Sequence, residues 1–196
     1  MTSKAMDRIS GEAQRMAALV EDLLLLARLD QQRPLSHELV DLRSVVADPI
    51  EDFRSVQPER PVMVELPSGS VIVRGDEARL RQVVANLLTN IRVHTDPLVP
   101  AHITLGVDGA QAQLVVADEG PGLTERDAAR AFDRFYRSEG SRARTAGGTG
   151  LGLAIARSVV EAHGGEITLA SAAGQGAVFT IRLRRGPERC IEIADE

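Results

Sequence analysis

Asn86 and Asn90 stand four residues apart in an otherwise apolar stretch. On a helix that spacing puts both carboxamides on one face. Asparagine is a poor helix former, so two in one turn ask for a reason. A carboxamide oxygen is a hard, neutral ligand, suited to a magnesium ion that phosphates already hold. A solvated or internally hydrogen-bonded pair is the plainer reading. Asp118 closes the apolar run over residues 114–117 and opens Asp118-Glu119-Gly120-Pro121-Gly122-Leu123. A carboxylate there lies at the rim of a sheet, and the glycines let a ligand approach the backbone, although a tight turn would use the same residues. Gly147-Gly148-Thr149-Gly150-Leu151-Gly152 runs straight into the apolar Leu153-Ala154-Ile155. Backbone amides at such a helix start bind anions, and glycine lets phosphate come close. Between these, Phe132-Asp133-Arg134-Phe135-Tyr136-Arg137 holds two of the 4 phenylalanines and the single tyrosine, a hydrophobic anchor for the loop that follows.

The elements that must carry these groups are legible in outline. Met6, Ile9, Ala13, Met16, Val20, Leu23 and Ala27 recur at spacings of three and four, and Leu19, Leu24 and Leu26 widen the stripe. This is one long helix suited to a bundle. Residues 30–34 break it. A second amphipathic helix runs over 42–56, ended by Pro58 and Pro61. Residues 62–66 and 71–73 read as two strands and a turn. Asp76 caps a helix to about His94. A hairpin follows over 101–108 and 111–117, turning at Asp108-Gly109. Thr124 caps a short helix to 131, with Asp127 three residues on. Residues 138–148 read as loop and 151–162 as helix, stopped by Gly164 and Gly165. Strands over 167–170 and 177–183 close the chain. Helices alternating with hairpins mean an α/β fold with a mixed sheet.

Composition narrows the chemistry. The chain has 196 residues, 43% hydrophobic and 26% charged, enough for one core plus an appendage. Aromatic residues are only 3%, too few for a base-stacking surface, and a net charge of -5 argues against a nucleic-acid partner. Lys4 is the sole lysine, so neither a Gly-Lys-Ser/Thr phosphate loop nor a protein-kinase strand lysine is available. Gly148 and Gly150 are followed by Leu153 where a dinucleotide fingerprint needs glycine. Cys190 is the single cysteine, which excludes an internal disulfide or a cysteine-rich metal site. The longest apolar run, residues 23–27, is too short to span a bilayer, so the chain as given is expected in the cytoplasm.

In this order and spacing the four segments resemble the asparagine, first glycine, phenylalanine and second glycine boxes of the ATP-binding catalytic domain of bacterial sensor histidine kinases. That family shares a superfamily with gyrase, MutL and the heat-shock chaperone ATPases. Gly174-Gln175-Gly176-Ala177-Val178-Phe179 is similar to the family's closing glycine turn and strand. The resemblance covers residues 41–184, and the first helix is similar to the second helix of the family's dimerisation bundle. It implies a two-layer α/β sandwich of Bergerat type with a mobile lid, preceded by the long N-terminal helix. The expected division is 1–34 as partial dimerisation helix and linker, 35–186 as ATP-binding domain, and 187–196 as a polar tail.

The resemblance also implies roles. Asp118 would accept a hydrogen bond from the adenine amine, with Gly120 and Gly122 making room for base and ribose. Asn90, with Asn86, would hold Mg²⁺ bridging the ATP phosphates. Gly148, Gly150 and Gly152 would place amides on those phosphates. His94, Leu123, Thr149, Leu151 and Phe135 complete the nucleotide-contacting set. Residues 138–147 would form the lid, anchored by Phe132 and Phe135. Arg137, Arg142 and Arg144 would neutralise the γ-phosphate.

Departures from the family pattern are Ile91 in place of a small residue, Asp96 in place of proline, and Val93 where a basic residue is common. Arg92 is one residue, roughly 100°, away from that last position. Ser36-His37-Glu38-Leu39 resembles the start of the family's acceptor motif, but it follows the bundle helix and continues as Val40-Asp41-Leu42. His37 is therefore read as a decoy, and the acceptor histidine is expected outside this chain. That leaves a truncated chain, whose full-length form could be anchored in the bacterial inner membrane, or the ATP-binding subunit of a split kinase. Expected partners are an acceptor-histidine bundle, a response regulator and a second copy pairing through residues 5–29. The alternatives are an ATP hydrolase of the gyrase and MutL kind, which would need a general base where Asn86 stands, and a nucleotide-binding pseudokinase.

Overall fold

The computed structural model describes residues 2–31, 36–137 and 149–187. It divides into two compact units, Met1–Pro34 and Leu35–Glu196. The first unit is helix α1, Thr2–Asp30. Met6, Ile9, Met16, Val20, Leu23 and Leu24 are exposed on it, and Leu25, Leu26 and Leu29 are buried. Among the described residues no helix is long and apolar enough to cross a membrane.

The second unit runs β1 Glu38–Asp41, α2 Leu42–Val56, β2 Val62–Glu65, β3 Ile72–Gly75, α3 Glu77–His94, β4 Ala101–Asp108, β5 Gln111–Asp118, α4 Glu125–Ala129, α5 Gly152–Ala162, β6 Glu166–Ser171 and β7 Ala177–Arg184. Five strands form a mixed sheet in the order β2-β4-β5-β7-β6, in which only β2–β4 is parallel. Strict alternation along β4, β5 and β7 sends Ile103, Leu105, Leu114, Val116, Phe179 and Ile181 into the core. Val45, Val46, Val83, Leu87, Ile155 and Val159, from α2, α3 and α5, are buried with them. Full burial of side chains of this size stabilises by about 1.5–3 kcal/mol each, before entropy is counted. The result is a two-layer α/β sandwich with a mixed sheet.

Two details differ from the sequence expectation. The strands over 62–66 and 71–73 form, as β2 and β3, but do not pair with each other. β2 runs parallel to β4, and β3 pairs antiparallel with β1 in a separate two-stranded sheet. β1 has no strong signal, because Val40 is its single fully buried side chain. Helix starts follow the expected chemistry. Asp41 accepts from Arg43 N and Val71 N at 3.0 and 3.1 Å, and Asp76 accepts from Arg79 N at 3.1 Å. α2 continues through Pro49, which removes one intrahelical donor.

His163 ties two helices together. Its Nδ1 lies 2.7 Å from the Val159 carbonyl and must donate, so Nε2 is the acceptor for Asp76 N at 2.9 Å. This neutral imidazole joins the end of α5 to the start of α3. Burial pushes its pKa down, assisted by His37 and opposed by the Val159 carbonyl and Asp76. The unfolded chain thus binds more protons on this group below about pH 6.5. Its contribution to stability is complete above that pH and is lost as pH falls toward the folded value. Urea unfolding at about pH 7.5 and about pH 5.5 should show an acid-dependent fall in midpoint that shrinks in His163→Gln. The same fall in both proteins would assign the acid sensitivity to another group.

Candidate active site

The last residue of β5 is Asp118, 7% exposed. Its Oδ1 accepts from Gly120 N at 2.8 Å. Burial raises the carboxyl pKa, while the N–H groups of Gly120 and Ala177 and the charge of Arg60 pull it back down. A Cβ on Gly120 would come within 2.5 Å of Thr95 Cγ2 and 2.7 Å of Asp118 Oδ1. The turn after Asp118 must therefore lack a side chain there.

That turn locks onto the β6–β7 connection. Gly176 N donates to Gly120 O at 3.0 Å and Gly174 N to Pro121 O at 2.7 Å. Ser171 Oγ accepts from Leu123 N at 2.9 Å and donates to Gly176 O at 2.6 Å. Gly122 and Gly176 both have positive φ, +62° and +71°, and a Cβ on either would strike a carbonyl, of Ala172 or of Asp118. So two glycine turns far apart in sequence form one rim beside the carboxylate. The closing turn was legible as a motif, but its partnership with residues 120–123 was not.

α3 supplies the opposite wall. Asn86 Nδ2 donates to the Gly152 carbonyl at 3.1 Å, and a Cβ on Gly152 would lie 3.6 Å from Asn86 Cγ. Asn86 and Asn90 are both half-buried. Leu151, the residue before α5, is fully buried and gives the helix no side-chain cap. The first amides of the helix are thus the kind of donors that an anion satisfies. Thr149 is exposed, and its Oγ1 accepts weakly from Leu151 N at 3.3 Å. The asparagine helix and the glycine-rich start of α5 therefore come together. Among the described residues no group of three or more His, Cys, Asp or Glu could hold a metal ion. A cation between these elements would need ligands from a bound phosphate chain.

The phenylalanine segment divides in its role. Phe132 packs edge-on against Phe179, centroids 6.4 Å apart. Phe135 is 58% exposed and takes φ +61°, so it is not a buried anchor. Its backbone does the anchoring: Phe135 N donates to Gly150 O at 2.9 Å. Gly150, φ +71°, packs against the Phe135–Tyr136 peptide. Tyr136 OH donates to Asp127 Oδ1 at 2.6 Å, pulling that carboxyl pKa down, and Arg130 lies 4.2 Å over the tyrosine ring. Gly148, Arg142, Arg144 and the proposed lid over 138–147 lie outside the described residues.

The remaining candidates scatter more. His94 and Arg137 are half-buried and partnered. Ile91 is fully buried. Arg92 lines a groove with Asp52, Phe53 and Val56 of α2, whereas Asn86 on the same helix reaches α5. The exposed Glu119 pairs with His102 at 3.0 Å. Arg60, whose only sequence signal was its place between two prolines, was missed. It is 4% exposed, and its guanidinium binds Thr95 Oγ1, Asp96 O, Val99 O and Gln57 Oε1 at 2.7–2.9 Å.

A strand-end carboxylate beside interlocked glycine turns, and an open helix start against the asparagine helix, mark an α/β sandwich that is neither a Rossmann nor a Walker fold. The family model of histidine kinase-, DNA gyrase B- and HSP90-like ATPases matches residues 75–187, and the chain belongs to that family. It is 45% identical over 179 residues to the probable sensor histidine kinase TcrY of Mycobacterium tuberculosis, a match covering 91% of this chain and 38% of TcrY. Among solved structures, the mycobacterial sensor histidine kinase MprB aligns with TM-score 0.67 and 30% identity, over 78% of this chain and 99% of that one. Full-length ShkA, in complex with AMPPNP, aligns with TM-score 0.72 and 29% identity, over 89% of this chain and 36% of its own.

The rim geometry separates two glycines of equal conformation. Gly122→Ala places a Cβ against the Ala172 carbonyl, whereas Gly109, φ +56°, has nothing within 4 Å of a new Cβ. Gly109→Ala should cost only the left-handed penalty of about 1–2 kcal/mol. Gly122→Ala should cost clearly more and disturb the rim. Urea denaturation of both variants measures this, and equal losses would show that the rim yields freely.

Proposed function

We propose that this chain binds ATP with Mg²⁺ and transfers the γ-phosphoryl group to a histidine on a helical bundle outside it, as part of a sensor histidine kinase. The observation that carries this reading is Asp118: a buried carboxylate on a glycine rim, whose charge suits the 6-amino group of adenine. The base would sit against Gly120 and Gly122, beside Leu123. The phosphates would meet the first amides of α5 at Gly150, Leu151 and Gly152, with Gly148 and Thr149 on the approach. The residues fit a metal–phosphate group: Asn86 and Asn90 offer neutral oxygen donors, and among the described residues no acidic cluster competes. Mg²⁺ bound there would neutralise phosphate charge. His94 and Phe135 border the nucleotide, and Arg137, Arg142 and Arg144 serve the γ-phosphate. In transfer, the bond from the γ-phosphorus to the bridging oxygen breaks, a phosphorus–nitrogen bond forms on the acceptor imidazole, and ADP leaves.

The full protein would pass phosphate on to a response regulator, and the exposed apolar side chains of α1 would pair with a second copy through residues 5–29. Residues 1–34 would act as dimerisation helix and linker, 35–186 as ATP-binding domain and 187–196 as tail. The chain would work in the cytoplasm, with any inner-membrane anchor supplied by a longer protein.

Calorimetry tests nucleotide choice. The unmutated chain should prefer ATP over GTP, and Asp118→Ala should weaken ATP binding about ten- to hundredfold, the loss of a charge-assisted hydrogen bond of about 1.5–3 kcal/mol. Equal binding of ATP and GTP would overturn the assignment. Labelling with radioactive ATP tests transfer. Alone, the chain should gain little acid-labile phosphate; adding a family-type acceptor bundle should restore labelling. Arg142→Ala and Arg144→Ala should then lower transfer more than ATP binding. Strong labelling of the chain alone, abolished in His37→Ala, would make His37 an acceptor.

A further inference from the structure

Among the described residues, the buried polar or charged ones are Arg60, Thr95 and Asp118. They come from three separate segments, yet they form one cluster. Arg60 Nη1 donates to Thr95 Oγ1 at 2.9 Å and to the Val99 carbonyl at 2.7 Å. Nη2 donates to the Asp96 carbonyl at 2.8 Å, and Nε to Gln57 Oε1 at 2.8 Å. The cation also lies 5.6 Å from the Phe53 ring centroid. Each of these four acceptors is neutral. A buried guanidinium still requires an anion nearby. The carboxylates acting on it are Asp118 and Asp96. Asp96 is exposed, and its Oδ1 accepts from Leu98 N at 2.9 Å. Asp118 is the buried one.

Thr95 completes the link. Its hydroxyl donates to Ile91 O at 2.8 Å while accepting from Arg60. Its methyl occupies the space that a Cβ on Gly120 would need. Gly120 N in turn holds Asp118 Oδ1. Removing Arg60 would free the wall against which the base-reading turn is set.

We propose that Arg60 is a positioning residue for the adenine-reading site, fixing the wall over 95–99 against Gly120 and so the turn that holds Asp118. This rests on the reading of Asp118 given above. Burial raises the Asp118 pKa, and the N–H groups of Gly120 and Ala177 oppose it more than the charge of Arg60 does, so holding Gly120 in place is the larger service that Arg60 performs. Asp96 also acts on Arg60, and Glu119, next to Asp118 in sequence, is paired with His102.

The test uses ATP and purine riboside triphosphate, which lacks the 6-amino group. Taking the ratio of their affinities cancels any effect common to the phosphates and the rest of the base. The unmutated protein should prefer ATP. In Arg60→Met, which keeps an apolar stem over Phe53, the preference should drop about tenfold. Arg60→Lys keeps the cation but loses the fork, so its preference should fall about threefold. No preference for ATP in the unmutated protein would sink the Asp118 reading itself. A preference that survives in Arg60→Met, with both nucleotides weakened alike, would make Arg60 merely structural and overturn this proposal. If Arg60→Met does not fold, Arg60→Lys decides: an unchanged preference overturns it.

Discussion

A carboxylate at the buried end of a central strand is costly to keep charged, because little water reaches it. Asp118 occupies that position, and much of the surrounding structure answers the need. Its neighbours supply backbone N–H groups from Gly120 and Ala177 and the charge of a buried arginine. These groups arrive from β5, β7 and the turn after α2, so the site forms only when distant parts of the chain have already assembled. The sandwich core comes first in this dependence. Alternating strands bury one face, the helices cover it, and the strand end is left at the rim.

The rim is made of backbone more than of side chains. Gly120, Gly122 and Gly176 are required because a Cβ at each would collide with Thr95, Ala172 or Asp118. Two of them also take left-handed φ values that other residues adopt at a cost. Backbone turns of this kind present donors and acceptors without rotamer entropy, which suits recognition of a flat base and a charged phosphate chain. The asparagine pair and the uncapped start of α5 extend the same principle, with neutral carboxamides beside open backbone amides.

Much of this was legible in the sequence, for identifiable reasons. The long helices announced themselves by apolar period, and Asp76 and Thr124 cap as their types suggest. Asp118, the asparagines and the glycine segments stood out because their residue types are unusual in such settings. Pairing was less legible. β2 and β3 are adjacent in sequence but belong to different sheets, and nothing in the short apolar runs encodes a parallel partner beyond an intervening helix. β1 hides because a lightly buried strand carries little alternation. Arg60 hides for another reason: a lone arginine between prolines looks like solvated loop, and its burial depends on carbonyls from residues 96 and 99. Phe135 illustrates the reverse error. Its aromatic character suggested a buried anchor, whereas its main-chain bond to Gly150 carries that job.

The two ties between α3 and α5 have a mechanical consequence. One joins the start of α3 to the end of α5, through Asp76 and His163, and the other joins Asn86 to the start of α5 at Gly152. The first tie lies at the start of α3 and the second near its middle, so the two helices run antiparallel and resist sliding past each other. Gly150, which accepts from Phe135 N, lies two residues before the second tie. Whatever shifts the start of α5 is therefore felt at Asn86 as well.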